Sequence, residues 1–581
     1  MSPLSTKRHS LAHLMAHAVK DLWPKVKFAI GPDIDSGWYY DIDFGKEKIS
    51  EEDFPRLEER IRELISQSLD FKNEKVSVKE ALKWAKDNDQ IYKIELIEEL
   101  ASQGEKELGF YSVGDFKDLC RGPHVANTSE IDPQSFKLHK LAGAYWRGDE
   151  KNKMLTRIYG LAFENKKELL EYLTMLEEAE KRDHRKLGAQ LDLFSFSELV
   201  GAGLPLWTPR GMVMRQLLDD FVWELRRARG YEKVEIPHIT RKELYETSGH
   251  WEKFKDELFT IKTREGHFFA MKPMNCPHHT QIYARRQWSY RELPQRYANT
   301  TACYRDEQTG ELSGLSRVRS FAQDDAHVFC RMSQAKEEFL KIWDIVHEFY
   351  PAFGFKLRVR LSTHDPENSK AYLGDKDKWE VAENMLREIV DDKKIDWYEG
   401  VGEAAFYGPK LDFMTRDALG REWQVATIQL DMNMPERFDL TCINEKGEKE
   451  RIVMIHAAIM GSLERFISIL IEHTAGDFPV WLSPIQVKLL SVTEKHNEFC
   501  DVLAKEMLDQ GIRVELDISN ETVGNKIRKA ILEKVPYMLV IGDKEMGSSK
   551  LFVRERGKKE AREWDKEEFI KMIIDRNKDR K

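Results

Sequence analysis

The chain has 581 residues, room for about three or four domains, and its 41% hydrophobic content, with 14 Trp, 18 Tyr and 29 Phe, excludes wholesale disorder. Lys plus Arg number 92 against 101 Asp plus Glu, a net charge of −9, which excludes a globally basic nucleic-acid binder and leaves only local basic faces for such a partner. Six Cys with no CxxC make no disulfide framework and point to a reducing compartment. The N-terminus has His and Arg where a signal peptide needs an apolar run, and the longest uncharged apolar stretch, near Ile452–Leu463, is too short for a membrane span, so a soluble cytoplasmic protein with no membrane attachment is expected.

In chain order, HSLAHLMAHAVKDLW reads as a helix, FAIGPDIDSGWYYDIDF as strands around a Gly turn, and EEDFPRLEERIRELISQSL as a second helix, an α+β unit. Residues 163–187 read as one charged helix with Leu169, Leu173 and Leu176 on a common face, a connector between domains. The block 190–482 opens with the amphipathic MVMRQLLDDFVWELRRARGY. Its strand candidates KVEIPHIT, FFAMKP, LRVRLST and ERIVMIH are not each separated by a crossover helix, which favours antiparallel pairing. From 484 onward IQVKLLSV, IRVELDI, YMLVIGD and KLFVRE alternate with helices, as in a small α/β domain with a mostly parallel sheet. GxxxxGK[ST], a strand-linked GxGxxG and HExxH are all absent, so ATP, if used, needs another kind of site.

Three segments carry a resemblance. Tyr304-Arg305-Asp306-Glu307, a turn-rich loop and Val318-Arg319-Ser320-Phe321-Ala322-Gln323-Asp324-Asp325-Ala326-His327 resemble motif 2 of the class II aminoacyl-tRNA synthetases. Gly461-Ser462-Leu463-Glu464-Arg465-Phe466 resembles motif 3, and the long helix leading to Pro237 resembles motif 1, the dimer-forming element. With MKPMNCP at 271–277, AFYGPKLDF at 405–413 and the His9/His13 and Cys120/His124 pairs, the chain resembles the threonyl family of that class over nearly its whole length. The resemblance implies a multidomain α+β and α/β protein: an α+β editing domain at 1–162, a linker helix at 163–189, an antiparallel-sheet class II catalytic core at 190–482 and an α/β anticodon-binding domain at 483–581. It implies ATP-dependent ligation of threonine to its tRNA through an adenylate, as a homodimer using Mg²⁺ with ATP. The alternative is a synthetase-like RNA-binding regulator that does not charge tRNA.

Charge develops on phosphate oxygens when a carboxylate attacks ATP, so fixed guanidinium groups and Mg²⁺ are needed. The resemblance implies that Arg305 holds the α-phosphate, that Arg317 and Arg465 take the outer phosphates or the adenine, that Glu307 accepts from the adenine amino group and that Phe321 stacks on the ring. It puts Lys410 among the catalytic residues and Gln323, Asp325, Tyr407, Gln424 and Gln429 in the threonine pocket. Threonine and valine are nearly isosteric, and a hydrophobic pocket separates such pairs by only about a hundred-fold. A metal that takes the threonine hydroxyl does better, and the resemblance places one zinc per subunit on Cys276, His327 and His456, a set that leaves positions open. Serine keeps the hydroxyl, so a hydrolytic site is expected as well. His9 and His13 share a helix face, and with Cys120, His124, Lys93 and Asp118 they resemble the family's editing site. Zinc and metal-free hydrolysis are both open to this quartet, the family favouring the metal-free form. Asn520, Glu545 and Arg554 match positions that read anticodon bases. The chain departs from the family pattern at His278 (Gly), Ala457 (Arg) and Val425-Ala426 (Cys-Gly), and the small ubiquitin-like N-terminal domain common in the family is expected to be missing.

Overall fold

Ser2 caps the first helix, Pro3–Leu22, its side chain accepting from the Ser5 N–H, and Pro3 begins the helix where no amide donor is required. Leu11, Leu14, Met15, Ala18 and Val19 are fully buried along it and pack with Trp38, Tyr40 and Ile42 of strand Gly37–Asp43. The computed structural model describes residues 2–374 and 376–581, which form two compact units, one ending at Glu177 and one running from Glu178 to Lys581. The first unit holds two antiparallel sheets. Strand Gly37–Asp43 lies beside Met154–Ala162, which lies beside Phe136–Tyr145, and Phe71–Ser77, Glu107–Val113 and Phe116–Leu119 form a separate three-stranded sheet. Trp38 faces Gly160 across the ladder, and a Cβ at Gly160 would stand 2.2 Å from Trp38 Cζ2, so the large ring occupies the space that glycine leaves.

The second unit is built on an eight-stranded sheet. Its order is Glu232–Lys233, Gln295–Tyr304, Ser320–Cys330, Val453–Ala458, Glu422–Asp431, Lys410–Arg416, Leu357–Thr363 and Trp397–Val401. The expected antiparallel pairing holds through the six central strands, while both edge strands join in parallel. Helices Pro209–Arg227, Met332–Phe349, Lys376–Lys393 and Leu463–Thr474 contribute Leu218, Phe221, Ile345, Phe349, Leu386, Phe466 and Leu470 to the largest core.

Three expectations need correction. The strand candidates KVEIPHIT and ERIVMIH are each split: a segment containing Pro237, which has no amide donor, separates the edge strand ending at Lys233 from Ile239–Arg241 in another sheet, and Ile452 separates Lys449–Arg451 from Val453–Ala458. The charged connector is two helices, Lys166–Arg182 and His184–Gln190, because Asp183 leaves helical geometry and caps the second by accepting from the Arg185 N–H. The C-terminal sheet is mixed. Val487–Ser491 pairs in parallel with Val514–Asp517 and Tyr537–Ile541, but Lys550–Glu555 and a short strand Arg562–Asp565 add antiparallel, because the connections among the last three strands, the one-turn helix Asp543–Met546 and a loop at 556–561, are too short for a parallel crossover. Among the described residues no helix is long and apolar enough to cross a membrane.

Candidate active sites

Cross-strand register gathers the first site. His327 pairs with His456, His456 with Gln429, and Gln429 with Lys410, so four side chains from four strands stand level on one face of the large sheet. Two residues along, Asp325 joins that face, and a bulge that leaves Val425 unpaired turns Gln424 toward it. A cavity of about 700 Å³ opens there. Cys276, Arg305, Glu307, Arg317, Phe321, Gln323, Asp325, His327, Tyr407, Gln424, Gln429, His456 and Arg465 all line it, as do Val425 and Ala457 where the chain departs from the family pattern. Lys410 is not in that lining and pairs with buried Asp412 at 2.9 Å.

The hairpin Gln295–Tyr304/Ser320–Cys330 carries the arginines. The Arg305 guanidinium sits 5.2 Å from the Phe321 ring centroid. Arg317 donates to Glu307 at 2.7 Å, and Arg465 rides the first turn of helix Leu463–Thr474, whose cap Ser462 bridges to Gln323. Gln429 donates to the Gly408 carbonyl, and Gln424 donates to Asp412 and Thr427. Asp325 is pushed up to about 6, first by burial, with the neighbouring Asp324 adding to the rise.

Cys276, His327 and His456 are all buried and bring one ligand atom each within 4.8 Å of one another. His327 Nε2 and His456 Nδ1 converge at 3.1 Å, while the outward nitrogens are tied, His327 Nδ1 to His279 at 2.8 Å and His456 Nε2 to Asp431 at 3.0 Å. Inner nitrogens converging and outer nitrogens anchored is the arrangement of histidine metal ligands, and a soft thiolate with two imidazoles suits zinc. Burial pushes the Cys276 thiol well up, so metal binding there releases a proton. The residues fit zinc.

Sequence reasoning missed the anchors. Asp431 is two residues beyond Gln429 on the same strand face, and His279 is one helical turn beyond Cys276 on helix Cys276–Ala284, so periodicity alone would have pointed to both. His250 also approaches, with Nε2 3.9 Å from Cys276 Sγ. His278 is buried with neither ring nitrogen hydrogen-bonded.

A second cluster lies in the first unit. Cys120 Sγ is 3.4 Å from His9 Nε2 and 3.3 Å from His124 Nε2, and the His13 ring centroid is 4.3 Å from that of His124. Behind them, buried Lys93 pairs with Asp118 at 2.6 Å, and Tyr40 donates to the same carboxylate. Burial pushes the Cys120 thiol up to about 11 and holds His9, His13 and His124 below the usual imidazole range, so all four are neutral near pH 7. Four donors within 4.8 Å of one another also have the makings of a metal site. His17, to which the sequence assigned no role, stacks on Phe116.

The C-terminal candidates are less gathered. Asn520 is exposed beyond strand Val514–Asp517, and Glu545 follows Tyr537–Ile541 and accepts from the Gly542 N–H. Arg554 pairs in register with Met538, at the other end of that strand, and donates to the Lys558 carbonyl.

Residues 259–474 match the family described as tRNA synthetase class II core domain (G, H, P, S and T), residues 483–576 the Anticodon binding domain, and residues 108–159 the Threonyl and Alanyl tRNA synthetase second additional domain. A threonine–tRNA ligase of Cytophaga hutchinsonii is 48% identical over 572 residues, 98% of this chain and 88% of that protein. One of Carboxydothermus hydrogenoformans is 47% identical over 567 residues, again 98% and 88%. Among solved structures, the RNA binding domain of threonyl-tRNA synthetase from Cryptosporidium parvum aligns with a TM-score of 0.64 and 38% identity, over 68% of this chain and 98% of that one. A putative threonyl-tRNA synthetase from Aeropyrum pernix aligns at 0.60 and 30% identity, over 69% and 96%. A Giardia lamblia prolyl-tRNA synthetase, at 0.55 and 16% over 70% and 80%, shares the fold. Motifs, cavity and relatives at this identity over nearly the whole length converge: the chain belongs to the threonine–tRNA ligase family of class II aminoacyl-tRNA synthetases.

Proposed function

We propose that this protein ligates L-threonine to tRNA(Thr) through a threonyl-adenylate, using ATP with Mg²⁺, and hydrolyses seryl-tRNA(Thr) at the His9, His13, Cys120, His124 cluster. The observation that carries the reading is the shared cavity: the Cys276, His327, His456 donor set and the Arg305, Phe321, Arg465 group open onto one space. Its volume of about 700 Å³ has room for a nucleotide and an amino acid side by side. The matched family ranges support a four-part division, with editing in 1–162, a connector at 163–189, synthesis in 190–482 and anticodon reading in 483–581.

Phe321 offers its ring to adenine, and Arg305, close to that ring, neutralises the α-phosphate beside the base. Glu307 accepts from the adenine amino group, and Arg317 exchanges its Glu307 partner for the outer phosphates that Arg465 reaches from the opposite side. Lys410 stands at the end of the His327, His456, Gln429 row, where it can turn from Asp412 to charge developing in the reaction. Asp325, Gln323, Tyr407, Gln424 and Gln429 orient the threonine amine and side chain. Zinc on Cys276, His327 and His456 supplies an electrophilic position that a hydroxyl fills and a methyl leaves empty.

At the second cluster a neutral thiol and neutral imidazoles suit positioning a water and the ester without metal. Asn520, Glu545 and Arg554 contact anticodon bases. Phe196, Leu199, Val200, Leu206 and Met212 are exposed in and before helix Pro209–Arg227, an apolar strip that supports a two-fold homodimer. The protein works in the cytoplasm. An RNA-binding regulator without charging would need none of the buried donor set. The test is aminoacylation of tRNA(Thr) with labelled threonine. Stable threonyl-tRNA is expected, and its absence from folded, zinc-loaded protein would overturn the proposal.

A further inference from the structure

His184 is buried at 4% exposure, outside the cavity, and both its ring nitrogens are in use. Nδ1 donates to Glu472 Oε1 at 2.6 Å, and Nε2 accepts the backbone N–H of Leu315 at 3.0 Å. The carboxylate fixes the tautomer: with the proton on Nδ1, Nε2 is left as an acceptor for the amide. Leu315 lies at the turn of the loop joining Tyr304 to Ser320, in the tight Ser313–Arg317 bridge, and its side chain is fully buried. Gly314 has φ +51°, and a Cβ there would stand 2.2 Å from His184 Nε2. The approach therefore needs both an acceptor at 184 and no side chain at 314. Two residues beyond Leu315, Arg317 meets Glu307 in the cavity. Glu472 closes the other end of the contact. It rides the helix that carries Arg465 and also takes Arg421, which pairs with Asp417, the acceptor for Trp423 Nε1. The Arg465 guanidinium lies 5.7 Å from the Trp423 ring.

We propose that His184 is a positioning residue for the nucleotide site, a buried clamp that sets the 305–319 loop against helix Leu463–Thr474 and so fixes the spacing of Arg317 and Glu307 relative to Arg465. Its link to ATP rests on the synthetase reading above. The clamp predicts a selective defect: ATP handling suffers, while the threonine pocket, built from the sheet and helix Cys276–Ala284, does not. The experiment is steady-state ATP–pyrophosphate exchange with zinc-loaded full-length protein, corrected for active-site concentration. It compares wild type, His184→Ala, Gly314→Ala and the double variant, with calorimetric titration of ATP alone. Each single variant should raise the ATP KM and Kd about fivefold, the worth of one net hydrogen bond, with the threonine KM unchanged. The double variant should be no worse than the poorer single, because both break one contact. His184→Gln, whose amide oxygen can accept from Leu315, should recover part of the loss. Additive effects, equal rises in both KM values, or no change in ATP affinity would overturn the clamp. Arg317→Ala separates the two layers: if it leaves ATP affinity unchanged, the role given to Arg317 fails, while the comparison of positions 184 and 314 still reads the clamp.

Discussion

Cys276 begins a helix whose next turn supplies His279, the anchor of His327, so one short element sets both a proposed metal ligand and the orientation of another. If the proposed site holds one zinc per chain, Cys276→Ala is expected to abolish its binding and threonine activation together, read by metal analysis of purified protein and by threonine-dependent adenylate formation. Asp431→Asn keeps the Oδ1 that accepts from the Asn433 and Met434 amides but weakens the hold on His456 Nε2. It should lower zinc affinity by about 10- to 100-fold, measured by competition with a chelator, with little change in melting temperature of the metal-loaded protein. The proposed ligands were legible as candidates because PMNCP, QDDAH and VMIHAAI stand in family order. Their convergence was not, since it rests on strand register between segments far apart in the chain. Lys410 shows the converse: sequence names it, but its present partner, Asp412, is visible only in the fold.

At the scale of elements, the sharpest packing statement is Trp38 against Gly160. Gly160→Ala would drive a methyl into the Trp38 ring between paired strands, where neither backbone can retreat. A loss of about 1–3 kcal/mol is expected, seen as a lower denaturant midpoint for the first unit, with adenylate formation unchanged. Element type was readable wherever periodicity was long. LRVRLST is strand Leu357–Thr363, and HSLAHLMAHAVKDLW lies in helix Pro3–Leu22 up to its last residue, the cap Trp23. The break at Asp183 was not, because helical spacing runs straight through EKRDHRKL and only the capping role of Asp183 interrupts it. The mixed C-terminal sheet escaped for a related reason: alternation of strands and helices argues for parallel pairing, and the closing Lys550–Glu555 and Arg562–Asp565 hairpin has no helix between its strands.

Across the whole molecule, burial keeps many histidines neutral. His13 and His327 are held well below the usual range, His250 and His279 are lowered to about 3 and His278 to about 4. The unfolded chain takes up these protons near pH 6.5 and the native state does not, so stability rises with pH between the depressed values and 6.5 and is lost as pH falls through that window. Melting temperature should be nearly flat from pH 7 to 8 and fall steeply from 6.5 to 5; a flat profile down to 5 would contradict the burial assignments. The apolar strip from Phe196 to Met212 predicts a dimer mass by light scattering at micromolar concentration, and Leu199→Asp with Met212→Asp should shift it to monomer. Both cofactor and substrate readings meet in one measurement: ATP–pyrophosphate exchange by zinc-loaded protein with threonine, serine and valine in parallel. Strong exchange with threonine, weaker exchange with serine, which differs by one methyl, and none above background with valine are expected. Valine exchange approaching that of threonine, or threonine exchange undiminished in metal-free Cys276→Ala protein, would contradict these readings.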